Sequence, residues 1–81
     1  MTNVNLNKII SNRIKALRLN KNLTSEQLAY RSGISKGGLS EIERDMKEPR
    51  LLTIVKICAG LEISVKDFFD FSEIEDFSNL I

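Results

Sequence analysis

The side chains of this sequence that are able to do chemistry are mostly charged groups. The chain has twelve Lys and Arg residues, eleven Asp and Glu residues, no His and a single cysteine, Cys58. An enzyme needs a nucleophile, an acid–base pair or a metal in a cleft, and we find no such combination of residue types. Without His or a pair of cysteines, the sequence also lacks the ligands of a structural zinc site. We therefore expect no enzymatic activity, no metal, no cofactor and no small-molecule effector.

The charges are unevenly distributed along the chain. Residues 1–50 contain ten Lys/Arg and five Asp/Glu, a net charge of +5, and residues 51–81 contain two and six, a net charge of −4. Such asymmetry is typical of a protein with one basic face for a polyanion and an acidic segment kept away from it. A mixed, solvated surface explains the same numbers equally well, so the charges alone do not decide.

The hydrophobic pattern predicts an all-α protein whose five short helices form one domain over residues 1–70. Apolar residues recur every three or four positions, and no segment alternates in the manner of a strand. A chain of 81 residues also leaves no room for a second domain. The helices are predicted at about residues 6–20, 24–32, 35–45, 51–61 and 64–70.

Two of these helices have the spacing of a helix-turn-helix. Thr24 and Gln27 form a capping box at the start of the second helix, Gly33 supplies the left-handed residue that ends it, and Ser35 caps the third. Two short helices joined by a tight turn with glycine are typical of a DNA-binding unit whose second helix enters the major groove. An ordinary pair of helices inside a bundle is the alternative that this spacing leaves open.

The residues around this turn resemble a known family, the phage-repressor and Cro family of XRE-type helix-turn-helix proteins. The sequence is similar in particular to small single-domain repressors and to the controller proteins of restriction–modification systems. The resemblance covers about residues 9–70 and implies a lambda-repressor-like fold that binds double-stranded DNA. The matching segments are Arg13–Arg18, Leu23–Ala29, Ser32–Ser35, Leu39–Arg44, Pro49 and Ile57–Ser64.

The resemblance also implies which residues contact DNA. Lys36 occupies a position from which family members reach bases, and its ammonium group can donate to guanine O6 and N7. Ser40 and Glu41 lie one turn further along the same face, although a solvated helix charge is the favoured interpretation of Glu41. Gly37 faces the groove without a side chain. Phosphate contacts are expected from the helix starts and from the loop after the third helix, at Ser25, Ser35, Arg44, Lys47 and Arg50.

Several further residues have roles that the resemblance implies or leaves open. Arg18 and Glu43 correspond to positions that form an internal salt bridge in relatives, so Arg18 is not expected to contact DNA. Arg13 is either a phosphate contact or an ordinary surface residue. Two consecutive glycines at 37–38 weaken the recognition helix, which either frays without DNA or permits close backbone approach. Asp45 and Glu62 occupy positions where the family often has a left-handed glycine.

Residues 71–81 form a C-terminal tail beyond the family core. Phe71, Ile74 and Phe77 fall on one helical stripe, and a free helix of this length is marginal in water, so the stripe needs a partner. One hypothesis makes the tail a dimerisation element together with Phe68 and Phe69, and the other packs it on its own domain. A dimer would place two recognition helices about 34 Å apart on a palindromic site.

The leading hypothesis is a sequence-specific transcriptional regulator that occupies its operator as a homodimer. The alternative is an antitoxin that binds a partner protein as well as its own promoter. No stretch has the length and apolarity of a signal peptide or a membrane span. Cys58 lies in an apolar run, where a cysteine acts as a small hydrophobe, and a lone thiol is typical of a reducing compartment. We therefore expect a cytoplasmic protein.

Overall fold

The computed structural model describes residues 5–80, which form six helices joined by short loops. The five predicted helices are present, and no strand occurs within these residues. No helix of this described part is long and apolar enough to cross a membrane. The helices are α1 (Leu6–Asn20), α2 (Ser25–Ser32), α3 (Lys36–Glu43), α4 (Leu51–Leu61), α5 (Val65–Phe68) and α6 (Ser72–Leu80).

Side-chain caps define where several helices begin. Thr24 Oγ1 accepts from the backbone N–H of Gln27 at 3.0 Å, and Gln27 Oε1 accepts from the N–H of Thr24 at 2.9 Å, so the predicted capping box is confirmed. Ser35 Oγ accepts from Gly38 N–H at 3.0 Å and caps α3. Ser64 caps α5 in the same way. These oxygens satisfy backbone donors that have no partner inside the helix.

Left-handed residues follow four of the helices. Gly33 after α2 has a φ of +68°, and Asn22 after α1 has a φ of +57°. Asp45 after α3 and Glu62 after α4 both have a φ of +58°. Glycine takes this conformation without steric cost and Asn and Asp tolerate it, whereas it costs Glu about 1 kcal/mol. The helix ends therefore lie where these residues were expected to place them.

α5 is shorter than predicted. It ends at Phe68, and not near Asp70, because the chain turns at Phe69. The N–H of Asp70 bonds to the carbonyl of Asp67, three residues earlier, which tightens the last turn and stops the helix.

The first five helices, α1 to α5, enclose the hydrophobic core, and each of the five supplies at least one fully buried apolar side chain. Burying such a side chain contributes about 1.5–3 kcal/mol to stability. Cys58 is part of this core, where burial raises the pKa of its thiol above the usual value, as expected for a structural cysteine. The largest fully buried apolar side chains are those of Ile14, Leu28, Leu39, Ile57, Leu61 and Phe68.

Among the described helices, α2 and α4 make the most extensive contact. A Cβ atom built on Gly60 of α4 would meet the hydroxyl of Ser32 on α2 and would lie 3.0 Å from the Ser32 backbone nitrogen. Glycine at position 60 therefore lets α4 lie directly on the last turn of α2. This contact holds the helix-turn-helix against the rest of the domain.

The tail forms α6, which lies against α1 of its own chain. Ile74 packs on the core, and Phe71 and Phe77 are half-buried. The described chain thus has the arrangement in which the tail packs on its own domain. A role for these three residues at a dimer interface stays a prediction.

The side chain of Phe68, which one hypothesis places at a dimer interface, lies in the core of its own chain and is 0% exposed. A role for Phe68 at a dimer interface stays a prediction, and this burial argues against a direct contact of its side chain. Phe69 is half-buried beside it, and the two rings meet edge to face with their centroids 5.0 Å apart. Phe69 therefore keeps only part of its side chain available to a second copy.

Candidate nucleic-acid interface

α2 and α3 form the helix pair predicted from the sequence. The N–H of Ile34 bonds to the carbonyl of Ala29 at 3.1 Å and closes the turn between them. On α3, Leu39 and Ile42 are buried in the core. The opposite side of the helix therefore faces solvent, with Lys36, Gly37, Glu41 and the following Arg44 all exposed.

The position of α3 is set by the ion pair between Arg18 on α1 and Glu43 at its end. Arg18 Nε donates to Glu43 Oε2 at 2.8 Å and Nη2 donates to Oε1 at 2.9 Å, a two-pronged contact. Arg18 Nη1 also donates to the carbonyl of Leu23 at 2.8 Å, in the loop before α2. The two side chains are only 11% and 7% exposed. The Arg18–Glu43 pair that the resemblance implies is therefore present, and the same guanidinium group also bonds to the α1–α2 loop.

A second contact on the same side of α3 involves Ser11, which the sequence did not single out. The Ser11 hydroxyl is buried and lies 2.6 Å from the carbonyl oxygen of Ile42 and 2.8 Å from that of Asn7. A carbonyl in the last turn of a helix has no partner within the helix. Ser11 supplies a donor to this carbonyl and joins the end of α3 to α1.

Lys36 is the first residue of α3 and extends into solvent. Its Nζ lies 3.3 Å from Oε2 of Glu26, in the first turn of α2. Lys36, which is predicted to contact a base, thus forms an ion pair in the protein without DNA, and this pair joins the start of α3 to the start of α2. The predicted site did not include Glu26 as a partner of Lys36.

The predicted serine contacts lie at the same end of the helix pair. Ser25 is the first residue of α2 and is half-buried, and Ser35 is exposed directly before α3. Because Ser35 Oγ already accepts from Gly38 N–H, its own hydroxyl proton is free to point outward to a phosphate. Ser40 is half-buried one turn further along α3. The Lys36–Glu26 ion pair holds the starts of α2 and α3 together, and Ser25 and Ser35 lie at these two starts.

The two glycines of α3 have different surroundings. A Cβ atom built on Gly37 would meet nothing within 4 Å, so this position is open to solvent. One built on Gly38 would lie 2.8 Å from Ser35 Oγ, the oxygen that caps the helix. At position 38, the lack of a side chain leaves room for the Ser35 hydroxyl that caps the helix. At position 37, it leaves the backbone exposed.

The basic residues after α3 form a second contact surface, which we call the basic loop (Arg44, Lys47 and Arg50). All three side chains are exposed, and Arg44 Nε donates to the carbonyl of Ser40 at 3.3 Å. A cleft of about 300 Å³ separates this loop from the start of α3, and both Lys47 and Arg50 line it beside Ser35. Two cations that line a cleft next to an exposed helix start are suited to binding phosphates, and Glu48 is the one carboxylate that lines it with them.

A family model described as helix-turn-helix matches residues 14–68, more than half of the chain. The matched residues include α2, the turn, α3 and the basic loop, which are the parts that form the surface described above. The chain belongs to the XRE-type helix-turn-helix family.

Relatives of this helix-turn-helix protein include repressors and controller proteins. It is 33% identical to the control protein C.BamHI of Bacillus amyloliquefaciens over 75 residues, which are 91% of each chain. It is 39% identical over 56 residues to the immunity repressor protein of Bacillus phage phi105. That match covers 69% of this chain but only 39% of the repressor, so the chain spans about two fifths of that relative.

The structure of the helix-turn-helix protein is similar to that of the restriction–modification controller protein C.Esp1396I. The wild-type controller superposes with a TM-score of 0.83 at 32% identity, over 95% of this chain and 99% of that one. The C.Esp1396I tetramer in complex with its natural 35-base-pair operator superposes with a TM-score of 0.84 at 35% identity. That match covers 90% of this chain and 99% of the controller.

In this helix-turn-helix protein Arg13 bonds to the end of α5, a role that neither interpretation from the sequence included. Its Nε donates to the carbonyl of Phe68 and its Nη2 to that of Asp67, both at 2.8 Å. The guanidinium carbon also lies 4.6 Å from the centre of the Phe71 ring. A cation suits the exposed carbonyls at a helix end and the face of an aromatic ring. Arg13 therefore fastens α5 and the start of α6 to α1.

Proposed function

We propose that this protein is a transcriptional regulator that acts by occupying an operator in double-stranded DNA. One observation carries the proposal. The Arg18–Glu43 pair fixes α3 with its first residue, Lys36, exposed beside the basic loop. The similar controller C.Esp1396I binds its natural operator as a tetramer, which supports operator binding by this chain.

The proposed contacts divide into those that read sequence and those that add affinity. Lys36 donates to guanine O6 and N7 from the start of α3, and Ser40 lies one turn behind it. The two capping-region serines, Ser25 and Ser35, contact phosphates together with the basic loop. Gly37 offers only its backbone, and Glu41 stays a solvated charge.

We propose that two copies bind a palindromic site, and that they meet through α4 and α5 and not mainly through the tail. Leu51 and Leu52 on α4 are 68% and 63% exposed, and Val55 lies one turn further along with 43% exposed. Val65, at the start of α5, is 39% exposed. Adjacent exposed apolar side chains of this kind mark an interaction surface, whereas the stripe of α6 is partly covered by α1.

The proteins reported above favour a controller or repressor over an antitoxin. The likeness to C.BamHI and C.Esp1396I extends over at least 90% of this chain. Repression and activation both begin with operator occupancy. The proposal therefore concerns the binding event and the controller-like organisation of the chain.

The proposed function is tested by selecting binding sites from random-sequence DNA with the wild-type protein. We expect enrichment of two inverted half-sites about 10 base pairs apart, centre to centre, since a dimer places its recognition helices one turn apart. A pool without an enriched motif would contradict a sequence-specific regulator. Co-purification of a different protein in fixed proportion, with no such motif, would favour the antitoxin alternative.

Lys36→Ala tests base reading within the selected site. Loss of the ammonium group is expected to cost about 1–3 kcal/mol on the selected operator and to relax sequence preference, while salt-sensitive binding to unrelated DNA remains. Titrations by fluorescence anisotropy at several salt concentrations measure both effects. Lys15→Ala removes the same charge from the exposed side of α1 and serves as the control. Equal losses in the two variants would remove Lys36 from the base contacts.

A further inference from the structure

A carboxylate lies inside the proposed DNA surface. Glu26 is in the first turn of α2, directly after Ser25, and its Oε2 is 3.3 Å from Lys36 Nζ. The two side chains are 74% and 64% exposed, so solvent and DNA reach both of them. A negative charge at a helix start that faces a polyanion opposes phosphate binding, and this calls for an explanation.

Lys36 differs from the other cations of the surface in having this partner. Within residues 5–80 the side chains of Arg44, Lys47 and Arg50 form no ion pair. Their charges are available to any phosphate on any sequence. Lys36 instead has to exchange a carboxylate for an acceptor on DNA, or to share its three N–H donors between the two.

Two kinds of acceptor compete for Lys36. Phosphate oxygens occur on every sequence and carry a negative charge, whereas guanine O6 and N7 are neutral acceptors that only some sequences present in the groove. Bringing a phosphate to Lys36 also brings it to Glu26, and the two negative charges repel each other. Bringing a guanine edge to Lys36 adds no such repulsion.

We propose that Glu26 is a specificity-determining residue, an inference that rests on the proposed function. Through its ion pair with Lys36, Glu26 disfavours contacts between Lys36 and phosphates and leaves the base edge as the preferred acceptor. Glu26 therefore weakens binding to unrelated DNA more than binding to the operator. Because the pair is exposed, it contributes little to folding, and its effect falls on the choice of DNA.

The test compares Glu26→Gln with the wild type on two duplexes of equal length, the selected operator and an unrelated sequence. Glu26→Gln is expected to bind unrelated DNA about 3–10-fold more tightly, and the salt dependence of that binding steepens by about one phosphate contact. Operator affinity is expected to change less than about twofold, so the ratio of the two affinities falls. Glu75→Gln removes the same charge from an exposed position on α6 and should leave the ratio unchanged.

A double-mutant cycle shows whether Glu26 acts through Lys36. In the Lys36→Gln background, Glu26→Gln is expected to change the affinity ratio clearly less than in the wild type, because no ammonium group remains to be released and only the direct repulsion between Glu26 and phosphates is removed. Glu26→Asp keeps the carboxylate and should keep most of the wild-type ratio. An undiminished effect of Glu26→Gln in the Lys36→Gln background would overturn the proposed route through Lys36.

The outcomes separate this inference from the proposed function. If the wild type prefers the operator and Glu26→Gln leaves the affinity ratio unchanged, the inference fails and the proposed function stands. If the wild type prefers no sequence, the proposed function fails and the inference fails with it. A lower ratio with a steeper salt dependence on unrelated DNA supports both.

Discussion

Two Arg–Glu pairs of this protein show how environment decides what a single residue does. Arg18 and Glu43 are almost buried and are joined by three hydrogen bonds, whereas Arg31 and Glu62 are exposed and lie 3.9 Å apart. A buried charge that loses its partner remains without compensation, while an exposed one is solvated. The first pair fixes the recognition helix, and the second is a surface contact between α2 and the end of α4.

Arg18→Ala is expected to lower the free energy of unfolding by about 3–5 kcal/mol, because it leaves Glu43 buried and unpaired. Arg31→Ala is the matched control and should cost less than about 1 kcal/mol. Urea unfolding followed by circular dichroism measures both. Similar losses in the two variants would contradict the structural role of the buried pair.

The residue scale also shows what the sequence pattern misses. The Arg18–Glu43 pair followed from a resemblance that compares many positions at once. Arg13 and Ser11 instead bond to backbone carbonyls of α5 and α3, and any residue type carries such a carbonyl. The sequence therefore does not show which residue supplies the carbonyl that accepts the hydrogen bond.

At the scale of helices, glycine has opposite consequences at two positions. Gly60 lies where α4 crosses α2 and a Cβ atom would meet Ser32, whereas Gly37 lies on the open face of α3 with nothing within 4 Å. The same residue type is thus required by packing in α4 and costs helix stability in α3.

Gly60→Ala is expected to destabilise the fold by about 1–3 kcal/mol, since Ser32 and its backbone must move to admit the methyl group. Gly37→Ala should stabilise it by up to about 1 kcal/mol, because alanine favours the helix and meets no neighbour. Thermal unfolding of both variants measures the contrast. Destabilisation by Gly37→Ala would show that position 37 is more crowded than its open surroundings indicate.

Helix starts and ends were the best predicted features at this scale. The capping box at Thr24 and the left-handed Gly33 depend only on residues within one turn, so a short stretch of sequence is enough to predict them. The end of α5 was predicted less well. There the chain turns at Phe69, whose neighbour Phe68 is drawn into the core by packing with distant helices.

At the scale of the whole molecule, the distribution of apolar surface determines how copies can associate. α6 packs part of its apolar stripe against α1. On α4, by contrast, the apolar side chains of Leu51, Leu52 and Val55 remain exposed. A sequence pattern shows that both helices are amphipathic or apolar. It does not show which apolar side is already covered, because that depends on the relative positions of helices far apart in the chain.

Leu52→Asp is expected to convert the proposed dimer to a monomer, since it places a charge in the exposed apolar surface of α4. Aspartate suits the first turn of a helix, so the variant should remain folded. Phe77→Asp, on α6, should leave the dimer intact. Sedimentation velocity without DNA measures the oligomeric state of the wild type and of both variants. If Phe77→Asp is a monomer and Leu52→Asp is still a dimer, the interface lies on the tail and not on α4.

Local patterns in the sequence were sufficient for the helix-turn-helix itself, because caps, left-handed stops and apolar spacing depend on neighbours within a few residues. Resemblance to a family extended this to DNA binding and to the Arg18–Glu43 pair. The ion pair between Glu26 and Lys36, the use of Arg13 on α5 and the burial of Phe68 required the packed fold. Each of these features depends on two or more helices that are far apart in the sequence, and how those helices pack together decides which of their residues come into contact.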